Sequence, residues 1–209
     1  MMYQPPHFRE DRFDVQHELI RAHSLGLLIT AGPGGLQANY IPFLVDPKAS
    51  ERGTLRAHLA RANPQLRELA AVDECLVVFQ GPQLYISPSL YPTKRETGKV
   101  VPTWNYIAVH AHGPVEFFDD PGRLLEIVRR LTNLHESGRP SPWAVTDAPP
   151  DFVQAQLRGI VGLRMPITRL EGKRKMSQNR NAADRAGVAA GLAASERASD
   201  HEVSSLIPL

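Results

Sequence analysis

The clearest pattern of hydrophobic and polar positions lies between Val101 and Asp120, where the two kinds of residue alternate. The odd positions are apolar or small: Ile107, Val109, Ala111, Val115 and Phe117. The even positions are polar or amphipathic: Tyr106, His110, His112 and Glu116. A period of two predicts a half-buried β-strand, here from Thr103 to Phe118. Because this strand opens with Thr103-Trp104-Asn105-Tyr106, we expect a barrel that holds a flat ligand at its rim.

Shorter apolar runs between turn signals predict the remaining strands. These runs are Leu25–Ala31, Leu36–Val45, Thr54–Leu59, Cys75–Gln80, Leu84–Ser87 and Gly159–Leu170. The first two flank Gly32-Pro33-Gly34-Gly35, a strong turn sequence, and are therefore predicted to form a hairpin. About six strands joined by short turns are typical of a small antiparallel barrel.

Helices are predicted mainly at the edges of this barrel. They cover Asp11–Ser24, a short stretch after Asn63-Pro64, Pro121–Glu136, a short stretch from Asp151, and Ala182–Arg197. In Pro121–Glu136 one helix face is apolar and carries Leu124, Ile127, Val128, Leu131 and Leu134. We expect a barrel domain over residues 1–170, with the basic segment and C-terminal helix of residues 171–209 packed on it.

Composition favours an ordinary globular protein. The chain has 209 residues, 42% of them hydrophobic and 22% charged, and its net charge is +2. Any nucleic-acid site must therefore rest on a local basic patch.

A single cysteine, Cys75, excludes an internal disulfide and fits a reducing compartment. No apolar run approaches the roughly 18 residues of a membrane span, and the first residues lack a signal-peptide core, so we expect a cytoplasmic protein that is not in a membrane.

The first group with candidate chemistry is His58-Leu59-Ala60-Arg61-Ala62-Asn63-Pro64, at the predicted junction of a strand and a helix. Free backbone N–H groups at such a junction, together with the guanidinium of Arg61, suit a phosphate. The alternative is a capped helix with a surface arginine and a core histidine.

The second group is the basic segment of Lys173, Arg174, Lys175 and Arg180, interleaved with Ser177, Gln178 and Asn179. Cations beside amide side chains suit a phosphate or a nucleic-acid backbone. The alternative is a solvated loop that caps the following helix.

The sequence offers little support for a metal site or a catalytic nucleophile. His110 and His112 share one strand face but have no Cys or carboxylate at a recognisable metal spacing. His135-Glu136 lacks the second histidine of HExxH, and no serine stands in a G-x-S-x-G sequence. We therefore predict neither a metal site nor a catalytic residue.

Many short motifs, in one order, carry a resemblance to a known family. They are Tyr3-x-Pro5-x-x-Phe8, Ala38-Asn39-Tyr40-Ile41-Pro42-Phe43, His58 to Pro64, Phe79-Gln80-Gly81-Pro82, Tyr85-Ile86-Ser87-Pro88, Val101 to Tyr106, Leu131-Thr132 with His135-Glu136, Pro142-Trp143, Gly172-Lys173, Lys175 and Ser177 to Arg180. In this the chain resembles the PaiB family of the FMN-binding split-barrel superfamily, over nearly its whole length. The chain departs from the family at three positions. Leu90 stands where an aromatic residue is common, Arg174 where Trp is common, and Tyr40 where His is common.

The resemblance implies a mainly β protein with peripheral helices, built on a six-stranded antiparallel split β-barrel. It also implies a homodimer with FMN in a groove at the dimer interface, and a regulatory role as a repressor of transcription. Arg61 is then the first candidate for the flavin phosphate, with His58 beside it. The other implied flavin ligands are Asn39, Pro42, Asn63, Thr103, Trp104, Asn105, Tyr106, Lys173, Lys175, Ser177 and Gln178.

Two other hypotheses stay open. One is a flavin- or haem-dependent oxidoreductase of the same superfamily, with His58, His110 or His112 as an axial haem ligand. The other is direct DNA binding through Lys173–Arg180. Against DNA binding stand the near-neutral net charge and the lack of a helix-turn-helix pattern.

Overall fold

The structure, a computed structural model, describes residues 1–209. Its strands are β1 (Arg9–Glu10), β2 (Leu25–Gly32), β3 (Gly35–Pro42), β4 (Leu44–Asp46), β5 (Thr54–Ala60), β6 (Cys75–Ile86), β7 (Thr103–Gly113), β8 (Glu116–Phe118), β9 (Ile160–Pro166) and β10 (Arg169–Lys175). Its α-helices are α1 (Phe13–Ala22), α2 (Gln65–Leu69), α3 (Thr93–Glu96), α4 (Pro121–Glu136), α5 (Pro150–Arg158), α6 (Ala182–Ala193) and α7 (Ala198–Ser205). Short 3-10 helices cover Pro6–Phe8, Pro88–Leu90 and Val145–Asp147.

The strands form two sheets. The larger has six strands in the order β1-β10-β7-β6-β2-β3, and the smaller has four in the order β4-β5-β9-β8. The predicted hairpin is confirmed, because β2 and β3 pair antiparallel from Leu25↔Pro42 to Gly32↔Gly35. Gly35 has a φ of +91° at its turn, a conformation that glycine adopts without strain. The predicted mainly antiparallel architecture is confirmed as well.

Several predicted strands differ from the structure, among them Leu36–Val45, which is divided into β3 of the larger sheet and β4 of the smaller one. The strand predicted from Thr103 to Phe118 stops at Gly113, and β8 belongs to the smaller sheet. Pro114, which lacks a backbone N–H, lies at the break. Conversely, the predicted strands Cys75–Gln80 and Leu84–Ser87 form one strand, β6, which runs unbroken through Pro82. Pro82 lies outside the stretch of β6 that pairs with β2. The last predicted strand is divided into β9 and β10, so the basic segment begins as a strand rather than a loop.

The chain divides into two compact units. The second unit comprises residues 13–79 and 110–170. Helix α4 has the bounds that its apolar stripe predicts; Asp120 caps it by accepting a hydrogen bond from the backbone N–H of Arg123 at 2.8 Å. Its buried Ile127 and Leu131 pack with Leu44 of β4.

The first unit comprises residues 1–12, 80–109 and 171–209. Its core is formed by Ile86, Tyr91, Met176, Val188, Leu192, Val203 and Ile207. The C-terminal segment is thus a folded part of this unit, and it ends in a second helix, α7, which the sequence analysis did not predict. None of the protein's helices combines the length and the apolar character that a membrane crossing requires.

Gly113, where β7 leaves its sheet, provides a test of this architecture. A Cβ at this position would lie 2.1 Å from the carbonyl oxygen of Pro166, a backbone atom that cannot rotate away. We expect Gly113→Ala to lower the free energy of unfolding by about 1–3 kcal/mol. Gly138→Ala is the control, because a Cβ there meets no atom within 4 Å. Urea denaturation of both variants measures the effect, and equal stability would contradict the close contact at Gly113.

Candidate functional site

The residues predicted from the sequence to bind a ligand fall into both units. The second unit holds Asn39, Pro42, His58, Arg61 and Asn63. The first unit holds Thr103, Trp104, Asn105, Tyr106, Lys173, Lys175, Ser177 and Gln178. Within the first unit the structure brings most of the set together, because β7 and β10 are neighbours in the six-stranded sheet.

Two lysines of β10 face groups of the first unit. The Lys175 ammonium donates a hydrogen bond to the hydroxyl of Thr103 on β7. The Lys173 ammonium donates to the carbonyl oxygen of Tyr3 at 2.7 Å and lies 5.3 Å from the centre of the Tyr106 ring. It also lies 5.2 Å from the Tyr3 ring. Lys173 is only 6% exposed, which is rare for a lysine.

Neither lysine forms an ion pair with a carboxylate. Burial lowers the pKa of Lys175, and the positive charges of Lys173 and Arg180 lower it further. The guanidinium carbon of Arg180 in turn lies 4.7 Å from the centre of the Tyr91 ring. This part of the unit therefore carries concentrated positive charge that the protein does not neutralise, an arrangement that favours an anionic ligand.

Three polar residues predicted as flavin ligands form hydrogen bonds within the chain instead. The Asn105 amide donates to the hydroxyl of Ser177 at 3.0 Å, and both side chains are buried. Ser177 has a φ of +64°, a left-handed conformation that costs a non-glycine residue energy. Gln178 accepts from the backbone N–H of Met176 at 2.6 Å and donates to the carbonyl oxygen of Arg174. Asn105, Ser177 and Gln178 thus fix the turn that follows β10.

Exposed aromatic rings lie on the same unit. Trp104 is 51% exposed and Tyr85 is 49% exposed. The two rings meet edge to face, with centroids 6.2 Å apart. Half-exposed aromatic faces offer a flat surface on which a planar ligand can stack.

In the second unit, the groups predicted to cradle a phosphate bind to the chain itself. Arg61 donates from Nε and Nη2 to the carbonyl oxygens of Arg158 and Ile160, both at 3.1 Å. Asn63 accepts from the backbone N–H of Gln65 at the start of α2. Asn39 donates to the side-chain oxygen of Gln65 at 2.9 Å. The role of Arg61 as a phosphate ligand stays a prediction.

Pro42 and His58 line one cleft of the second unit, which has a volume of about 310 Å³ and includes Trp143. The Nδ1 atom of His58 is fully buried and has no hydrogen-bond partner. Burial lowers the pKa of this imidazole. His58 is therefore a neutral ring at pH 7, unlike the cations of β10.

Comparison with known proteins agrees with this architecture. Residues 2–169 match the family described as "Putative FMN-binding domain". Over 183 residues the chain is 32% identical to "Protease synthase and sporulation protein PAI 2" of Bacillus subtilis, with 88% of this chain and 85% of that protein covered. The chain belongs to the PaiB family. Another relative, protein AN0679 of Emericella nidulans, is 36% identical over 218 residues and covers 88% of this chain and 87% of its own length.

A solved structure confirms the split-barrel fold class of this PaiB-family chain. The FAD and haem binding protein of Mycobacterium smegmatis aligns with a TM-score of 0.59 over 88% of this chain and 80% of its own. At 16% identity, this likeness concerns the fold alone.

The sequence analysis missed two residues around the lysines, Tyr3 and Phe8, and it named Arg180 in the basic segment but not among the flavin ligands. Tyr3 and Phe8 bring aromatic rings to Lys173 and Lys175, the latter with its ammonium 5.9 Å from the Phe8 ring centre. Arg180 adds its charge to Lys175. The motif Tyr3-x-Pro5-x-x-Phe8 was a signal for the two aromatic residues, but nothing in the spacing showed that they contact β10.

The lowered pKa of Lys175 leads to a prediction about the stability of a Lys175 variant. The charged form is less favourable in the folded than in the unfolded chain, so Lys175→Met should be at least as stable as the wild type at pH 7. As the pH rises toward the ordinary lysine value of 10.5, the folded protein loses this proton first. The wild type therefore gains stability with pH, and the advantage of the variant shrinks.

Urea denaturation at pH 7 and pH 10 measures this difference. Lys99→Met is the matched control, because it removes an exposed lysine of the same unit. A Lys175→Met protein that is markedly less stable than the wild type at pH 7 would mean that the bond to Thr103 outweighs the repulsion.

Proposed function

We propose that this chain binds FMN, and that Lys173 and Lys175 hold its phosphate. The observation that carries the proposal is the pair of β10 lysines that no carboxylate neutralises, in a chain of an FMN-binding-domain family. A dianionic phosphate would supply the missing negative charge. It would also relieve the repulsion among Lys173, Lys175 and Arg180.

The donors at this position suit a phosphate. Each ammonium has three N–H donors, and the protein uses one of Lys173, at the Tyr3 carbonyl, and one of Lys175, at the Thr103 hydroxyl. The remaining donors have no hydrogen-bond partner within the chain, and we propose that phosphate oxygens accept from them. Burial of Lys173 strengthens such contacts, because water screens them less.

The isoalloxazine ring needs a flat wall and polar groups at its edge. Trp104 and Tyr85, both half-exposed, and Tyr106 supply aromatic surface in the same unit. The Asn105 amide is occupied by Ser177, so we assign the ring's polar edge to backbone groups rather than to this side chain.

Comparing FMN with riboflavin, which lacks the phosphate, tests the proposal. Wild-type protein should bind FMN roughly 10- to 100-fold more tightly than riboflavin, the range expected for charge-assisted hydrogen bonds. In Lys175→Met this preference should fall by about tenfold or more. Flavin fluorescence titration measures both affinities.

Two further variants make the titration decisive. Lys99→Met should keep the preference for FMN, since Lys99 is exposed and lies outside β10. Arg61→Ala tests the alternative phosphate ligand in the second unit. If only Arg61→Ala removes the preference, the phosphate binds there and our assignment to β10 is wrong. If no flavin binds, the proposed function itself is wrong.

We also propose that the chain forms a homodimer through the outer face of the β2–β3 hairpin. All the residues on this face are apolar or aromatic and all are at least partly exposed: Leu25, Leu27, Ile29 and Ala31 on β2, and Leu36, Ala38, Tyr40 and Pro42 on β3. Leu36 is 80% exposed and Tyr40 is 67% exposed. A contiguous apolar face of this kind on a soluble protein is typical of an interface. Since β3 is an edge strand, it is also open to a neighbour.

A charge placed in the middle of this face tests the dimer. Ala38→Glu should convert the protein to monomers, because the carboxylate would be desolvated on association. Ala183→Glu, an exposed alanine in the first turn of α6, is the control and should stay dimeric. Sedimentation velocity measures the oligomeric state. A wild-type protein that is monomeric at micromolar concentration, or a dimeric Ala38→Glu protein, would contradict the proposal.

The regulatory role implied by the sequence stays a prediction, and direct DNA contact gains little support from the first unit. Of the cations in the basic segment, Lys173 is buried, Arg174 donates to the carbonyl oxygen of Leu206 at 2.8 Å, and Arg180 lies over Tyr91. Buried or packed in this way, these cations are poorly placed to lie along an extended nucleic-acid backbone, so we propose that a regulatory role would act through a protein partner. The oxidoreductase and haem alternatives also stay predictions, and an absorbance spectrum of the purified protein separates flavin from haem.

A further inference from the structure

The second unit contains a groove that none of the predicted flavin ligands lines. It lies where α1 and α4 both pack on β4, and its volume is about 360 Å³. Arg21 of α1 lines one side, and Arg130, Asn133 and Leu134 of α4 line the other. We call it the α1–α4 groove. Its volume is within the range of small-molecule sites, roughly 300–1,000 Å³.

The floor of the α1–α4 groove is apolar. It is formed by Phe43, Leu44 and Val45, which line the groove although each is at most 7% exposed. On the α4 side, Leu134 adds an apolar surface that is 39% exposed. An aliphatic chain in the groove would cover Leu134 and remove its own surface from water, which is favourable. The floor therefore suits the hydrocarbon part of a ligand.

Arg130 is held in a fixed position beside this floor. It donates to Asp46 from both Nη1 and Nη2, and the same carboxylate accepts from Arg56. The hydrogen bond from Arg130 lowers the pKa of Asp46, so the carboxylate is ionised at pH 7. Two guanidinium groups thus share one negative charge. Glu126 also lies 3.6 Å from Arg130, but it is 62% exposed, so water screens its charge.

Arg21 brings a second guanidinium to the groove without a counter-charge. Its side chain forms no ion pair, and no acidic residue lines the groove. A planar guanidinium fork matches the two oxygens of a carboxylate. Because Asp46 already neutralises part of the charge of Arg130, a singly charged carboxylate suits the groove better than a dianionic phosphate.

We propose that the α1–α4 groove binds an aliphatic monocarboxylate, with its carboxylate bonded to Arg21 and Arg130 and its hydrocarbon chain on the apolar floor. Such a molecule supplies the negative charge that the lining lacks and covers the exposed surface of Leu134. The groove shares no lining residue with the cleft of Pro42 and His58. It also makes no use of the β10 lysines, so its test does not depend on flavin binding.

Titration calorimetry of the full chain with octanoate and octanamide tests this site. The two probes have the same hydrocarbon chain and differ in the charge of the head group. Wild-type protein should prefer octanoate by about tenfold, as expected for charge-assisted hydrogen bonds. In Arg21→Gln this preference should fall to about twofold or less, and the fold should survive because Arg21 is exposed. Leu134→Ala should weaken both probes by similar factors, because it removes apolar surface that both contact.

Arg129→Gln is the matched control. Arg129 is an exposed arginine of α4 that does not line the groove, so its loss should leave the preference for octanoate unchanged. Four results would overturn the proposal. They are no binding of octanoate below millimolar concentration, equal affinity for the two probes, an undiminished preference in Arg21→Gln, and displacement of octanoate by FMN, which would place the groove within the flavin site.

Discussion

The proposed flavin site depends on a buried hydrogen bond between Asn105 and Ser177. An amide that is completely shielded from water must find a partner within the protein, and Asn105 finds it in the hydroxyl of Ser177. This bond joins the turn after β10 to β7, and Ser177, which accepts it, has a left-handed backbone conformation that costs energy. The lysines that precede the turn are consequently kept beside Thr103 and Tyr106. The strain at Ser177 is thus connected with the position of the charges.

These charges are the main support for the proposed ligand. A protein selected for stability alone would not keep Lys173 and Lys175 together, partly desolvated and without a carboxylate. Elsewhere the same chain pairs its charges closely, as where Asp46 accepts hydrogen bonds from both Arg56 and Arg130. This contrast is why we propose that a ligand supplies the counter-charge at β10. Functional sites often retain such an imbalance at the expense of stability.

The sequence was sufficient where local signals decide the structure. Helix α4 has its predicted bounds, because Asp120 caps it, Pro121 opens it and its apolar stripe has a helical period. The glycine-rich turn likewise identified the β2–β3 hairpin. A period of two, however, does not reveal which sheet a strand joins, so the transfer of β8 to the smaller sheet could not be predicted.

For the candidate site, the sequence likewise identified residues but not their long-range contacts. The residue types were recognised, since Lys173, Lys175 and Thr103 were all named as candidates, and the structure brings these three together. Their partners were not recognised, because contacts such as that of Lys173 with Tyr3 join residues 170 positions apart. Arg61 is a candidate whose contacts within the chain the sequence did not reveal. Its guanidinium looks free in the sequence, yet two of its five N–H donors bond to backbone carbonyl groups in the fold.

The principle that a desolvated polar group needs a partner also decides where we place the proposed phosphate. At β10 the unsatisfied groups are cations, so an anion is the partner that suits them, and a phosphate meets this need. At His58 burial lowers the pKa of the imidazole, and its surroundings are largely apolar. A phosphate there would lose its hydration without gaining a positive counter-charge. The charge state of each group's own surroundings is therefore our reason for assigning the phosphate to β10 rather than to His58.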